Sequence, residues 1–278
     1  MTEAAELPVV LLCGGQGTRL REETGVRPKP MVEVGGRPIL WHIMKGYAGA
    51  GCREFILCLG YKGQIIKDYF WHYPLKNSDV TFDLGGHGEV TWHKRHLETD
   101  WRVTLADTGE RAMTGSRLSR IRRYVGDRRF FLTYGDGVSD VDIGALLRFH
   151  EDHGRLVTVT GVNPPSRFGE LRPGDDGVVR DFIEKPQLER ELVNGGFFVM
   201  EPGTFDYLSD DDSCVLERQP LEQLASDDQL VTYRHPGFWQ CMDTYRDLEL
   251  LEQLWGSGDA PWLAWRSPPT GLPAGARR

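Results

Sequence analysis

The stretch Gly14-Gly15-Gln16-Gly17-Thr18-Arg19 has the residue types that hold a chain of phosphates. Three glycines in four positions let the backbone approach a ligand closely, and successive N–H groups can converge on an anion. Thr18 adds a hydroxyl donor, and Arg19 a planar cation matched to phosphate oxygens. Lys29 follows between Pro28 and Pro30, in a segment biased towards extended backbone. Together these read as a triphosphate cradle. Asp136, set between Gly135 and Gly137, supplies a carboxylate of the kind that holds Mg²⁺ beside phosphate. Further along, Glu184-Lys185-Pro186 reads by itself as an ordinary surface ion pair, although Lys185 could meet a phosphate as a point charge and Glu184 could accept from hydroxyls. Asn194-Gly195-Gly196 offers an amide and close backbone approach.

Two familiar glycine motifs fail on this stretch. A P-loop needs Lys-Ser or Lys-Thr after its glycines, and a dinucleotide fingerprint begun at Gly15 and Gly17 meets Leu20 where its third glycine belongs. A strand-to-helix turn without a ligand is the plain alternative.

These residues need elements to hold them. Val9 to Leu12 is an apolar, β-branched run of the sort buried on both faces of a sheet, and it leads straight into the glycines. Ile39, Leu40, Ile43 and Tyr47 share a helical face after Pro38, and Phe55 to Leu59 is a second buried-strand candidate before a helix carrying Ile65, Ile66, Tyr69 and Phe70. This alternation predicts an α/β fold, a mostly parallel sheet with helices on both faces. Phe130 to Thr133 makes a strand that ends at Asp136, where ligands gather in such sheets. Strand-like pieces around Val80, Val90 and Val103 predict a small β insertion over 79–105, antiparallel or an edge meander. His87, His93 and His96 fall there as surface histidines, and His150 and His153 on a polar helix end. One domain is expected over 1–266, and the Pro/Gly-rich residues 267–278 are expected to be a disordered tail.

With 278 residues the chain can bury a substantial core. A net charge of −8 without a long basic run argues against nucleic acid as a partner. Five cysteines without a CxxC pair, no signal-peptide pattern and no apolar run of spanning length point to a cytoplasmic protein away from membranes.

The chain resembles the sugar-nucleotide pyrophosphorylases through GGQGTRL followed by RPKP, with further motifs in the family order from Val9 to Trp265. KPMVEVGGRPILWHIMK, GYKGQIIKDYF, TYGDGVSD, NGGFFV and HPGFWQCMDT are similar in pattern to those of the cytidylyltransferases acting on glucose 1-phosphate. The resemblance implies a Rossmann-like nucleotidyltransferase fold, Mg²⁺ as cofactor, an NTP (foremost CTP) and a sugar 1-phosphate as substrates, and a homo-oligomer. It implies that Cys13, Gly14, Gly15, Gly17, Thr18, Arg19, Lys29, Thr108, Thr114 and Gly115 hold the nucleotide. Tyr134, Gly169, Glu184, Lys185, Asn194 and Gly195 are then expected around the sugar, with Arg19, Lys29 and Asp136 catalytic. Asp243, by itself readable as a helix cap, matches the second aspartate that shares the metal with Asp136. Ser116, Leu171-Arg172-Pro173, Arg218 and Cys241 depart from the pattern and leave another NTP or sugar phosphate open. A nicotinamide oxidoreductase is disfavoured by Leu20 and by the missing ribose-binding acid after Leu59; a non-catalytic nucleotide-sugar sensor is disfavoured by the presence of Lys29, Asp136 and Asp243 together.

Overall fold

The structure is a computed structural model that describes residues 3–85, 89–94, 97–164, 170–183 and 192–266. Its centre is an eight-stranded mixed sheet. The strands are β1 (Val9–Leu12), β2 (Glu54–Leu59), β3 (Arg102–Asp107), β4 (Phe130–Tyr134), β5 (Val157–Val162), β6 (Val193–Asn194), β7 (Phe198–Met200) and β8 (Leu230–His235). β1 lies between β2 and β4, parallel to both, and β3 pairs parallel to the outer side of β2. β7 runs antiparallel between β4 and β5, and β8 pairs parallel to β5.

Alternate residues of the apolar runs face opposite sides, as period-two geometry requires. Val9, Leu11, Phe55, Leu57 and Phe131 enter one core, under the helices α1 (Ile39–Gly49), α2 (Gly63–Trp71), α4 (Ile143–His153) and α6 (Tyr245–Ser257). Val10, Leu12, Ile56, Cys58 and Leu132 enter the other, under α3 (Thr114–Arg120) and α5 (Gln219–Ser226). Burial on both faces is why these strands carry no polar alternation.

From β1 the chain steps to β2 and β3, then returns to the other side of β1 as β4. The crevice outside the carboxyl ends of β1 and β4 is therefore the switch point at which such sheets take ligands. Leu12 pairs with Tyr134, so the glycine stretch and Asp136 leave the sheet side by side.

β6 and β7 are pieces of one strand broken by a bulge. Gly161 pairs with Asn194 and Thr158 with Val199, so three steps along β5 oppose five on its partner. The surplus is taken up at Gly195-Gly196-Phe197, where Gly196 and Phe197 have φ of 77° and 45°. Phe197 in the left-handed region is a strained position for a bulky side chain.

Two expectations are corrected. The β insertion shrinks to the hairpin Asp79–Phe82 with Val90–Lys94, because Arg102–Asp107 joins the main sheet as its edge strand. His93 is exposed and bonds to Thr81, whereas His87 and His96 lie outside the described residues. His150 is not on a polar surface. It is 1% exposed, with Nδ1 2.8 Å from Thr158 Oγ1 and Nε2 3.3 Å from Glu201 Oε1. Burial pushes its imidazole down to about 4, against the opposing pull of Glu201. Folded His150 thus stays neutral while the unfolded chain takes up a proton at its ordinary value near 6.5. Its contribution to stability is therefore lost as pH falls from about 6.5 towards 4, by up to about 3 kcal/mol. The expected result is a shallower fall of the urea midpoint over that window in His150→Gln than in the wild type; equal slopes would refute it.

Candidate active site

A cleft of about 610 Å³ opens at the switch point, lined by the glycine stretch, Lys29, Thr114, Asp136, Asn194 and Asp243 among others. Gly17 has φ of 60°, and a Cβ there would lie 2.8 Å from Thr24, so only glycine suits this bend. Thr24 fastens it by donating from Oγ1 to the Gly17 and Leu20 carbonyls. At Gly14 a Cβ would fall 2.2 Å from the guanidinium of Arg117, which passes directly beneath the backbone.

Arg117, on α3, is the buried cation of this wall, only 4% exposed. Its Nη1 donates to the Leu59 carbonyl (2.9 Å), Thr108 Oγ1 (2.9 Å) and the Gly109 carbonyl (2.7 Å). Its Nη2 donates to the Gly14 carbonyl (2.9 Å) and the Glu110 carbonyl (3.4 Å). The guanidinium thereby ties the ends of β1, β2 and β3 together through backbone oxygens at their carboxyl ends.

The opposite wall is a two-stranded ribbon. Gly137–Ser139 pairs antiparallel with Trp239–Cys241, and the Met242 N–H donates to the Asp136 carbonyl at 2.9 Å. This register brings Asp136 and Asp243 together from distant parts of the chain. His235 braces the ribbon from below, with Nε2 2.8 Å from Asp140 Oδ1. Capping of α6 falls to Thr244, whose side chain accepts from the Asp247 N–H in a capping box. The Asp243 carboxylate instead turns into the cleft.

There Lys29 Nζ donates at 2.6 Å to Asp136 Oδ2 and at 2.6 Å to Asp243 Oδ1, while Arg19 Nη1 donates at 2.8 Å to Asp243 Oδ2. Burial pulls the Lys29 ammonium down, but Asp136 and then Asp243 outweigh it and hold the group above its ordinary range. Lys29 is therefore a fixed positive charge. It is 9% exposed, whereas the Arg19 side chain is 69% exposed and reaches in from the rim.

Two cations, a strand-end carboxylate and a second carboxylate meet at an α/β switch point, an arrangement of the kind nucleotide transfer requires. The family model described as nucleotidyl transferase matches residues 8–242. The chain belongs to this family. A glucose-1-phosphate cytidylyltransferase of Salmonella typhi is 52% identical over 260 residues, covering 93% of this chain and all of that protein. A probable glucose-1-phosphate cytidylyltransferase of Bacillus subtilis is 43% identical over 259 residues, with 93% and 100% covered. Among solved structures, HddC from Yersinia pseudotuberculosis complexed with GMP-PN superposes with a TM-score of 0.63 at 21% identity, covering 90% of this chain and 99% of that one. UDP-glucose pyrophosphorylase complexed with UDP-glucose gives 0.64 at 15% identity, covering 91% and 99%. These two similarities speak for the fold, the Rossmann-like nucleotidyltransferase fold.

The nucleotidyl transferase core brings most of the expected residues to one cleft. Cys13, Gly14, Gly15, Gly17, Thr18, Arg19, Lys29, Thr114, Tyr134, Asp136, Asn194, Gly195 and Asp243 all line it. Thr108 and Gly115 do not. The Thr108 hydroxyl donates to the Leu59 carbonyl and accepts from Arg117, and the Gly115 N–H donates to the Cys214 carbonyl. Ser116 turns away from the cleft, its hydroxyl donating to the Asp211 carbonyl at 2.5 Å, so this departure touches no cleft surface. Gly169, Glu184 and Lys185 lie outside the described residues.

Arg117, Glu217 and Trp239 also line the cleft and went unread in the sequence. Arg117 sits in a run of basic residues with nothing local to set it apart. Trp239 Nε1 donates to the Gly195 carbonyl at 2.7 Å, joining the ribbon to the bulge; a tryptophan beside the glycine of HPGFW was the available signal. A second groove, of about 780 Å³, runs along β3 past Phe70, Trp71, Trp101 and Leu105, without the converging cations of the first.

Proposed function

We propose that this nucleotidyl transferase moves a cytidylyl group from CTP to α-D-glucose 1-phosphate, giving CDP-glucose and pyrophosphate. The observation that carries the reading is the meeting of Lys29 and Arg19 with Asp136 and Asp243 at the end of the glycine stretch, in a chain 52% identical over its relative's whole length to a glucose-1-phosphate cytidylyltransferase.

The sugar phosphate oxygen is already an anionic nucleophile, so the reaction needs neither a general base nor a covalent enzyme intermediate. Its obstacle is the approach of two polyanions and the charge that gathers on the departing pyrophosphate, which positioning and electrostatics overcome. Backbone N–H groups from Gly14 to Thr18 hold the β- and γ-phosphates, and Arg19 neutralises the leaving group. Lys29, buried and permanently charged, bridges the α-phosphate and the incoming phosphate. Lys185 and Glu184 take the sugar phosphate and sugar hydroxyls, and Asn194 and Gly195 help to hold the sugar.

Asp136 and Asp243 fit a Mg²⁺ ion. An oxygen of each lies 2.6 Å from one ammonium nitrogen, so the pair converges on a single cation position. Mg²⁺ is ordinarily held by one or two carboxylates and completed by substrate phosphates. When bound it would draw charge from the α-phosphate oxygens.

Pyrophosphate release with Mg²⁺ and glucose 1-phosphate, compared across CTP, UTP, GTP, ATP and dTTP, tests the reading. CTP is expected to give the fastest release. Release with another nucleotide alone would move the base assignment, and release with none would overturn the reading for this sugar phosphate.

Self-association in the cytoplasm belongs to the same proposal. Trp71, which lines the β3 groove, is 82% exposed, and Leu84 and Leu97 are 94% and 87% exposed, bare apolar surface that suits contact between copies. Light scattering that returned 31.5 kDa at micromolar concentration would refute it.

A further inference from the structure

A line of hydrogen bonds crosses the cleft wall from one end to the other. Thr114 Oγ1, at the start of α3, accepts from the Leu216 N–H (2.9 Å) and donates to Glu217 Oε2 (2.6 Å). Glu217 Oε1 accepts from the Tyr134 hydroxyl (2.6 Å), which in turn accepts from Asn194 Nδ2 (3.0 Å). Asn194 Oδ1 closes the line by accepting from the Gly196 N–H (2.9 Å) inside the bulge.

Glu217 is the unusual member. Three carboxylates line the cleft among the described residues, and Asp136 and Asp243 share Lys29. Glu217 faces two hydroxyls and forms no ion pair among the described residues. An uncompensated negative charge in a cleft for polyanions opposes their binding. What it offers in return is direction. An ionised carboxylate accepts only, so both hydroxyls must donate to it, which turns their lone pairs towards the Leu216 N–H and the Asn194 amide.

We propose that Glu217 is a positioning residue that couples the nucleotide side of the cleft, at Thr114, to the sugar side, at Asn194 and the bulge. This rests on the reading of the two sides given above. Ordering one end of the line orders the other, so a bound nucleotide lowers what remains to be arranged for the sugar phosphate.

Calorimetry with the α,β-methylene analogue of CTP and with glucose 1-phosphate, each alone and together, tests the coupling. In Glu217→Gln one hydroxyl loses its acceptor. The analogue alone is expected to bind within about threefold of the wild type, while its tightening of glucose 1-phosphate binding falls about tenfold. KM for glucose 1-phosphate is expected to rise more than KM for CTP. Tyr134→Phe should give the same loss, and the double variant little more than either single one. A surface carboxylate without this role predicts the opposite sign: removal of its charge tightens both ligands and leaves their coupling intact, which would overturn the proposal. Should Glu217→Gln fail to fold, Tyr134→Phe and Thr114→Val each cut one link with Glu217 in place, and unchanged coupling in both would overturn it equally. Wild-type protein that releases pyrophosphate but shows no mutual effect of the two ligands would overturn the relay alone. Wild-type protein that binds no nucleotide would overturn the nucleotidyl-transfer reading and the relay with it.

Discussion

Lys29→Met is expected to cut turnover by about a thousandfold or more while the fold survives. The same variant is expected to bind Mn²⁺ more tightly than the wild type when no nucleotide is present. The first effect follows from removing a buried cation that touches both aspartates. The second follows from where its ammonium sits. Lys29 Nζ occupies the point on which Asp136 Oδ2 and Asp243 Oδ1 converge, so the wild-type aspartates already have a cation, and a divalent ion must displace it. Phosphates that attract Lys29 and Arg19 would release the carboxylates, so metal and nucleotide are expected to enter together. Without Lys29 the two carboxylates repel each other with the exposed Arg19 still on Asp243, at a cost of about 1–3 kcal/mol given their partial exposure. Added metal should restore that stability. A pyrophosphate assay, an electron-paramagnetic-resonance titration of free Mn²⁺ and a thermal melt with and without metal check these points. Turnover within tenfold of the wild type, or unchanged Mn²⁺ affinity, would contradict the assignment.

Arg117→Met is expected to damage the cradle and the stability of the whole domain. It would strip donors from the carbonyls of Gly14, Leu59, Gly109 and Glu110 and from the Thr108 hydroxyl, in a wall too buried for water to replace them all. Loss of about 3 kcal/mol or more is expected, and for a chain of this size a melting temperature lower by on the order of 10 °C. Lys keeps the charge but not the planar fork, so Arg117→Lys should rescue little of either loss. Nucleotide affinity, measured below the melting transition, should fall at least about tenfold because Gly14 loses the Arg117 guanidinium beneath it and keeps the Tyr61 N–H. A variant with wild-type melting and wild-type nucleotide affinity would show that the guanidinium is dispensable.

The sheet and the cradle were legible because their determinants are local. A four-residue apolar run reads as a doubly buried strand, three glycines read as close backbone approach, and a carboxylate between glycines after Phe130–Tyr134 reads as a strand-end ligand. Asp243 was legible only through family resemblance; the physical reason it is not a cap, the neighbouring Thr244 and Asp247, is itself local and could have been read. Glu217 and Arg117 were not legible, because their roles depend on partners brought together by the fold: Tyr134 and Thr114 for one, the ends of three strands for the other. The sequence RVTLAD fits an edge meander as well as a sheet strand, and only its pairing with Glu54–Leu59 decides between them. His150 misled for a similar reason. Glu151 and Asp152 beside it suggest solvent, but the side chain at 150 turns inward to Thr158 and Glu201.

The bulge at Gly195-Gly196-Phe197 shows how tightly the cleft wall is fitted even where it leaves strand geometry. Val193 and Asn194 on one side, and Phe198 to Met200 on the other, are pinned to β5 and β4 in fixed register. The surplus between them carries the carbonyl that Trp239 holds against the cleft. It is still tied to β5, where the Gly195 N–H donates to the Thr160 carbonyl, and a Cβ on Gly195 would meet Val162 at 2.6 Å. At the other end of the cleft the glycine stretch is clasped by Thr24, Arg117 and Tyr61, and a Cβ on Gly14 would fall 2.2 Å from the Arg117 guanidinium. Both ends of the cleft thus rest on bare backbone with a neighbour pressed behind it, so a side chain added at Gly14 or Gly195 would shift the wall itself rather than merely line it.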